Sequence, residues 1–216
     1  MQTKEVRPYY EILKKQQGKL MLKRILDFSM ATYMFILFSP IFVIIALSIV
    51  IDTHGGIFFR QERITQYGRK FKIYKFRTMV RNADKIGTHV TLENDKRITH
   101  VGKILRKYRL DELPQLINII IGDMSFVGTR PESTYYVRGY TKEMLATLLL
   151  PAGVTSEASV KFKDEEKLLN NEKTVDENYL KEILPRKMEY NLKGIKNFSL
   201  LGEFNILIKT IFAVIR

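Results

Sequence analysis

Phe28 to Ile51, FSMATYMFILFSPIFVIIALSIVI, is a run of 24 residues that contains no charged side chain. As a continuous helix it would be about 36 Å long, whereas the hydrocarbon core of a bilayer is about 30 Å thick. Burial in a soluble core explains the run less well, because few soluble proteins of 216 residues need a helix this long and this apolar. Residues 28–51 are therefore predicted to form a membrane-inserted helix.

A proline interrupts this run near its midpoint, at Ser39-Pro40. Proline inside a helix removes a backbone hydrogen bond and clashes with the preceding turn, so we expect a kink there. A kinked helix either crosses the bilayer or turns back and leaves by the leaflet that it entered. Basic residues flank both ends, including Lys23 and Arg24 before the run and Arg60 after it, and such residues prefer the cytoplasmic side. We therefore expect a re-entrant helical hairpin rather than a single span.

Residues 1–27 form a basic segment that leads into the apolar run. Leucine and isoleucine recur among lysines over residues 12–26, which predicts an amphipathic helix in the membrane interface, with Gly18 as a candidate interruption. The apolar run begins late, is long and lacks a small-residue cleavage site. A secretory signal peptide is therefore not expected.

The net charge of +13 is distributed unevenly along the chain. Residues 1–27 carry +4, residues 56–130 carry +9 and residues 131–216 carry only +1. Such a field suits anionic lipid head groups, nucleotide phosphates or nucleic acid. The chain has no cysteine, which excludes a disulfide scaffold and a cysteine-based zinc site.

Basic and aromatic residues alternate over residues 58–78, and Lys70 to Phe76 has the pattern of a short strand. Surfaces that bind single-stranded nucleic acid have this composition. Beside a membrane insert, we favour aromatic residues that pack in the core, with basic residues at a membrane-facing rim or in a nucleotide site. A nucleic-acid partner is thus not expected, although a membrane-anchored binding protein for nucleic acid or anionic lipid remains the main alternative.

The segment Lys103 to Glu132, KILRKYRLDELPQLINIIIGDMSFVGTRPE, is centred on the acid pair Asp111-Glu112. Three basic residues precede the pair closely, and Pro114 follows it, as at the start of a helix. Unpaired backbone N–H groups at a helix start keep a carboxylate ionised. Such an aspartate near arginines is a candidate nucleophile or metal ligand in a phosphate site. The alternative is that Asp111 only caps the helix and the arginines only balance its charge.

Several short motifs occur in a fixed order over roughly residues 20 to 135, and together they resemble the bacterial sugar transferases. These are the monotopic polyprenyl-phosphate phosphoglycosyl transferases, here of the small single-domain type. The matching motifs are Lys23-Arg24-Ile25-Leu26-Asp27, Ser39-Pro40, residues 58–63, Lys75-Phe76-Arg77-Thr78-Met79, Arg97-Ile98-Thr99, residues 110–116, Gly122-Asp123-Met124-Ser125 and Arg130-Pro131-Glu132.

The resemblance implies a reaction in which a sugar-1-phosphate moves from a UDP-sugar to undecaprenyl or another polyprenyl phosphate, with release of UMP and with Mg²⁺ as cofactor. It implies that Asp111 attacks the sugar-linked phosphate and forms a phosphosugar-enzyme intermediate, while Glu112 binds Mg²⁺ or handles a proton. Asp123 is a second candidate Mg²⁺ ligand, with a turn residue as the alternative. Initiation of a surface glycan or glycoconjugate at the bacterial inner membrane, on its cytoplasmic face, follows from the same resemblance.

Five further residues are candidates for contacts with the substrate phosphates or the nucleotide. Arg106 and Arg109 would neutralise charge on the phosphoryl group in the transition state. Arg130, which precedes Pro131, is a candidate for the nucleotide phosphate or uridine, and Arg77 is a weaker candidate. For each arginine, a structural ion pair or contact with anionic lipid is the alternative.

The expected fold class is α+β, predominantly α-helical with a small β element that packs on the membrane insert. The predicted order is a basic helix over residues 1–27, the insert over 28–51, a cytoplasmic catalytic domain over 52–197, and an amphipathic helix over 198–216. The last segment resembles the interfacial C-terminal segment of small family members.

Overall fold

The computed structural model describes residues 3–81, 83, 95–163 and 175–215. Helices dominate the described ranges and the strands are short, so the predicted α-rich α+β class is confirmed. The helices and strands in chain order are α1 (Arg7–Lys14), α2 (Gln17–Leu37), α3 (Ser39–Asp52), β1 (Phe58–Ile64), β2 (Lys70–Phe76), α4 (His100–Lys107), α5 (Gln115–Ile121), β3 (Met124–Val127), α6 (Thr134–Val137), β4 (Ala152–Thr155), α7 (Glu157–Lys161), α8 (Val175–Asn178), α9 (Leu184–Lys196) and α10 (Leu200–Ile215).

Within the described residues, the β structure is divided between two sheets of two strands each. β1 and β2 are antiparallel and join through a tight turn at Gln66–Gly68, in which Tyr67 has a positive φ of 58°. β3 and β4 are parallel. Their extension brings Gly128 so close to Gly153 that a Cβ on Gly153 would lie 2.2 Å from the backbone of Gly128. Glycine is therefore required where these two backbones meet.

The apolar run is divided into two helices that meet at Phe38 with a bend of 61°. Pro40 lies in the first turn of α3, and the Ser39 hydroxyl donates to the carbonyl of Ile36 at 2.8 Å. In the described ranges no single helix is long and apolar enough to cross a bilayer, whereas the bent pair α2 and α3 meets that requirement together. α2 also runs without a break through the boundary at residues 27 and 28.

Helix α5 packs between α2 and the two sheets. Its buried residues Leu116 and Ile119 join a core with Ala31 of α2, Phe71 of β2 and Met124 of β3. The guanidinium of Arg24 donates to the carbonyls of Ile119 and Ile120, at 2.6 and 2.9 Å. Because these carbonyls end α5, helix α2 holds the C-terminal end of α5 through Arg24.

Helix α10 docks on α2 through a buried ion pair. Lys23 Nζ lies 2.6 Å from Oε2 of Glu203, and the Asp27 carboxylate beside it accepts from the Ser125 hydroxyl at 2.7 Å. The other face of α10 exposes large apolar side chains, of which Leu201 is 84% exposed. Exposed apolar patches on this scale are typical of surfaces that contact a membrane or a protein.

Candidate active site

The acid pair lies in a short turn that connects α4 to α5. The Thr99 hydroxyl caps α4 by accepting from the Gly102 N–H at 3.0 Å. After α4, Arg109 adopts a left-handed conformation with φ of 55°, which is uncommon for a residue with a side chain. It turns the chain into the 3₁₀ turn Leu110–Glu112, so that both carboxylates point toward the protein rather than along a helix surface.

A buried asparagine fixes this turn against strand β2. Asn118 of α5 is fully buried, and its Oδ1 accepts from the N–H of Tyr74 while its Nδ2 donates to the carbonyl of Lys72, both at 2.9 Å. A side chain thus occupies the hydrogen-bonding edge of β2 where another strand would pair. The position of α5, and of the acid turn before it, is fixed relative to Lys75 at the end of β2.

Two basic residues bind the carboxylate of Glu112. Lys75 Nζ lies 2.9 Å from Oε1, and Arg130 Nη2 lies 2.7 Å from the same oxygen. The second oxygen, Oε2, lies 3.5 Å from Arg130 Nη1, at the limit of hydrogen bonding. Oε2 therefore retains capacity to accept a further bond.

Burial and charge together shift the pKa values of Glu112 and Lys75. Burial alone would raise the pKa of Glu112, but the charges of Arg130 and Lys75 outweigh it and hold that pKa well below its ordinary value. Burial lowers the pKa of Lys75, with repulsion from Arg130 added, although attraction to Glu112 partly offsets both. Glu112 is thus a stable anion whose charge is already neutralised.

Asp111 has a different environment from its neighbour. It is 8% exposed, and its Oδ1 is buried without a hydrogen-bond partner in the described part of the chain. Burial raises the pKa of Asp111, and the positive charge of Lys75 is the largest opposing influence. We expected a helix terminus to keep this carboxylate ionised. That explanation is wrong, because α5 starts only at Gln115, beyond the turn, and burial dominates.

A cavity of about 650 Å³ opens at the acid pair, and its lining combines two kinds of side chain. One part of the lining is cationic. The other part is apolar and comes from α2, β3 and α10. The cationic residues are Lys75, Arg106, Lys107, Arg109, Arg130, Lys163 and Lys187, and the apolar ones include Met34, Leu116, Phe126, Ala213 and Val214.

Three of the five residues that were predicted to contact the substrate phosphates or the nucleotide lie at this cavity. Arg106, Arg109 and Arg130 line it, and the first two also favour the ionised form of Asp111. Pro131 is buried directly after Arg130 and is outside the lining. The chain therefore brings the predicted acids together with these three predicted arginines.

Arg77 lies elsewhere. Its guanidinium donates to the carbonyls of Thr53 and His54, at 2.7 and 2.9 Å, just after α3 ends. It packs so closely on Gly55 that a Cβ there would lie 2.0 Å from Nη1. Arg77 thus holds the chain just after α3 and is outside the cavity lining, so the structure does not support the prediction that it contacts phosphate.

Asp123 is also separate from the cavity. Its carboxylate lies 2.7 Å from Arg69 Nη1, and its backbone carbonyl accepts from the buried Thr65 hydroxyl at 2.6 Å. The preceding Gly122 has φ of 90° and ends α5. The structure therefore favours the turn-residue interpretation of Asp123 over that of a metal ligand.

Several polar residues of the cavity lining were not predicted from the sequence, among them Lys75 and Gln115. Lys75 was part of a matched motif, but only its pairing with Glu112 shows that it belongs to the site. Gln115 was part of the matched motif over residues 110–116, but only the structure shows that its side chain is buried at the cavity. The alternating pattern of residues 70–76 predicts the face of the strand on which Lys75 lies. No local pattern predicts that Glu112 is its partner.

The site offers limited but suitable oxygen ligands for Mg²⁺. In the described ranges, no group of three or more His, Cys, Asp or Glu side chains is arranged to hold a metal ion. Mg²⁺ in phosphate chemistry usually takes one or two carboxylates and otherwise water and phosphate oxygens. Oε2 of Glu112 is an oxygen that fits this requirement.

Comparison with known proteins identifies the family. The family model described as "Bacterial sugar transferase" matches residues 18–216. The chain belongs to the bacterial sugar transferase family. The resemblance seen in the motifs is thereby confirmed, and it extends through the C-terminal region, where the motifs were less distinct.

Curated members of this bacterial sugar transferase family are similar over most of the chain. A UDP-N-acetylgalactosamine-undecaprenyl-phosphate N-acetylgalactosaminephosphotransferase from Aeromonas hydrophila is 33% identical over 197 residues, which are 90% of this chain and 44% of the relative. A UDP-glucose:undecaprenyl-phosphate glucose-1-phosphate transferase from Escherichia coli K12 is 34% identical, over 89% of this chain and 40% of the relative. This chain spans less than half the length of these two relatives.

A relative of more similar length is the exopolysaccharide production protein ExoY from Rhizobium meliloti. It is 32% identical over 209 residues, which are 90% of this chain and 85% of the relative. The region shared by all three relatives includes the acid pair and the residues that surround it.

Proposed function

We propose that this bacterial sugar transferase moves a sugar-1-phosphate from a UDP-sugar to undecaprenyl phosphate, or another polyprenyl phosphate, and releases UMP. The observation that supports this proposal best is the buried acid pair at a cavity with both a cationic and an apolar lining. A cationic lining suits the diphosphate of the donor, and an apolar lining suits the lipid chain of the acceptor. The product would begin a surface glycan or glycoconjugate.

In the first step, an oxygen of Asp111 attacks the phosphorus that carries the sugar. A bond forms between the carboxylate oxygen and phosphorus, the bond from phosphorus to the bridging oxygen breaks, and UMP departs with that oxygen. Burial without a hydrogen-bond partner at Oδ1 leaves this oxygen weakly solvated and hence reactive once it is ionised. Lys75 keeps the ionised form accessible by its charge.

In the second step, a phosphate oxygen of the polyprenyl phosphate attacks the phosphosugar on Asp111. The new bond gives a polyprenyl diphosphate sugar, and the carboxylate of Asp111 is released unchanged. Negative charge builds on the phosphoryl oxygens in both steps. Arg106, Arg109 and Arg130 lie at the cavity to stabilise it.

Glu112 holds the cluster together rather than reacting. Its carboxylate orients Lys75 and Arg130, and its oxygen Oε2 would hold Mg²⁺ together with substrate phosphate. When bound, Mg²⁺ supplies charge neutralisation for the diphosphate. Asp111 is then free to serve as the nucleophile.

The helices α2 and α3 are proposed to form a re-entrant hairpin that enters and leaves the cytoplasmic leaflet of the bacterial inner membrane. The 61° bend and the basic flanks on both sides support this topology. Met34 of α2 and Val214 of α10 belong to the cavity lining, so a lipid acceptor can reach Asp111 along surfaces that contact the bilayer. Anionic lipids would bind the basic region, each charge contributing about 1 kcal/mol.

The test is turnover by detergent-solubilised protein with a panel of UDP-sugars, undecaprenyl phosphate and Mg²⁺, with UMP release as the readout. Wild-type protein should release UMP and Asp111→Asn should not. Mass spectrometry of protein incubated with donor alone should find a phosphosugar on Asp111. UMP release that survives in Asp111→Asn would refute the proposed nucleophile.

The same assay separates this function from the binding of nucleic acid. Aromatic rings of the β1–β2 hairpin pack on each other, with Phe58 and Phe76 stacked at 5.6 Å and Arg60 over Tyr74 at 4.9 Å, which favours packing over base stacking. Tight, salt-sensitive binding to oligonucleotides without any UMP release would favour the nucleic-acid alternative.

A further inference from the structure

The first residue of α5, Gln115, has an unusual environment. It is 1% exposed, and neither Nε2 nor Oε1 of its side-chain amide has a hydrogen-bond partner in the part of the chain that the structure describes. The residue lines the cavity at the acid pair. A buried amide that lacks partners costs folding free energy, so a folded protein retains one at a position where something else completes its bonds.

The polar side chains near Gln115 show that the lack of hydrogen-bond partners is confined to the cavity. Asn118, one turn further along α5, is equally buried, yet its amide makes two hydrogen bonds of 2.9 Å to the backbone of β2. Asp111, which precedes Gln115 in the same cavity lining, shares the deficit, because its Oδ1 is also buried without a partner. Three buried polar atoms without partners thus lie at one cavity, next to the proposed nucleophile.

We infer that Gln115 is a substrate-binding residue whose amide completes its hydrogen bonds on a phosphate group in the cavity. This inference rests on the proposed function. Nε2 would donate to a phosphate oxygen, and Oε1 would accept from a hydroxyl or a water that accompanies the phosphate. The same chemistry is offered by the diphosphate of the donor and by the phosphate of the acceptor.

A neutral amide can orient a phosphate oxygen without adding charge, which the surrounding cations cannot do. Lys75 and Arg130 already hold the carboxylate of Glu112 by their positive charges. An amide can direct a phosphate oxygen without changing the charge at the nucleophile. Gln115 is therefore suited to orient the phosphoryl group while the cations balance its charge.

The decisive variant is Gln115→Met, which preserves the volume of the side chain and removes both polar atoms. The expected result is a ligand-free melting temperature equal to or above that of the wild type, because two unsatisfied atoms are lost. The expected catalytic efficiency is lower by about tenfold or more, because a hydrogen bond to a charged phosphate is lost. Measuring catalytic efficiency as the concentration of each substrate is varied in turn shows whether Gln115 binds the phosphate of the UDP-sugar or that of the polyprenyl phosphate.

Gln66→Met is the matched control. Gln66 Nε2 donates to the carbonyl of Leu149 at 2.9 Å, and this residue is outside the cavity lining. The same substitution there should lower the melting temperature and leave catalytic efficiency unchanged. Suppose that Gln115→Met also lowers the ligand-free melting temperature, and that its loss of activity matches its loss of folded protein. Gln115 is then structural, and the inference is overturned. Full efficiency with both substrates overturns it as well.

A binding readout separates this inference from the proposed function. The rise in melting temperature caused by UDP, and by a short-chain polyprenyl phosphate, is measured for the wild type and for Gln115→Met. A stabilisation that is present in the wild type and reduced in the variant supports Gln115, even if the wild type shows no turnover and the proposed reaction fails. Equal stabilisation of both proteins by both ligands overturns the inference, whatever the activity.

Discussion

The Nζ atom of Lys75 lies 2.9 Å from Oε1 of Glu112, although the two residues belong to separate elements and are 37 positions apart. The contact exists because Asn118 attaches α5 to the edge of β2 and thereby fixes the acid turn at the end of that strand. It brings a partly buried ammonium group close enough to Asp111 to influence its ionisation. The charge of Lys75 is the largest influence that opposes the effect of burial on the pKa of Asp111.

Replacing this ammonium group should change the pH dependence of the reaction. In Lys75→Met, the pKa of Asp111 should rise further, because the main charge that favours its ionised form is gone. Activity at neutral pH should fall by about 100-fold or more, and the acidic limb of the pH–activity profile should move to higher pH. The measurement is the rate of UMP release as a function of pH.

Lys72→Met is the control for this experiment, because Lys72 lies on the same strand with an exposed side chain. It should keep both the rate and the profile of the wild type. A Lys75→Met profile that is lower but not displaced along the pH axis would show that Lys75 acts on the substrate and not on Asp111.

The buried carboxylate of Asp111 should lower the free energy of unfolding at neutral pH. Burial raises the pKa of Asp111 in the folded state above its ordinary value of 3.8. The free energy of unfolding therefore falls as the pH rises above 3.8, because the unfolded chain ionises more readily than the folded one. Asp111→Asn removes this cost. The variant should lose about 10³-fold or more in activity and yet have a higher free energy of unfolding than the wild type at neutral pH.

The sign of this effect can be checked by its pH dependence. The stability difference between Asp111→Asn and wild type should shrink as the pH is lowered and should vanish well below the ordinary pKa of 3.8, where the aspartate is protonated in both states. Glu112→Gln should behave in the opposite way and destabilise the protein at neutral pH, since the pKa of Glu112 is well below its ordinary value. A less stable Asp111→Asn at neutral pH would contradict the interpretation.

Asn118 provides a test of how the fold holds the site. In Asn118→Leu, the N–H of Tyr74 and the carbonyl of Lys72 lose their hydrogen-bond partner in a partly buried environment. The free energy of unfolding should fall by about 2–4 kcal/mol. Activity in the surviving folded protein should fall too, because the acid turn is no longer fixed against Lys75.

The comparison for that variant is Asn197→Leu, at an exposed position at the end of α9, where the change should stay within about 0.5 kcal/mol. Urea unfolding monitors stability, and UMP release monitors activity. Asn118→Leu with wild-type stability would show that β2 does not need this side chain.

The parts of the site that follow from local pattern could be predicted from the sequence. The acid pair, Arg106 and Arg109 lie within seven residues, so any compact turn keeps them together. The break in the apolar run was also predictable, since Pro40 cannot continue the hydrogen bonding of α2.

The contributions that depend on packing could not be predicted. Lys75 reaches Glu112 only because a side chain on α5 pairs with a strand edge, which no local periodicity records. Arg77 and Asp123 show the converse. Each occurs in a matched motif, but Arg77 binds the carbonyls after α3 and Asp123 pairs with Arg69. A charged residue near a site in sequence can thus serve the scaffold in the fold.

The topology of the insert yields a last prediction, which the absence of cysteine makes easy to test. Single cysteines at Lys19 and His54, both exposed and on opposite flanks of the bent pair, should react with an impermeant maleimide only from the cytoplasmic side. Pro40→Ala restores a backbone donor at the bend, so a fraction of the molecules should straighten into a full span. In that background the cysteine at position 54 should become partly accessible from the other side. Labelling of the two flanks from opposite sides in the parent protein would exclude a re-entrant hairpin.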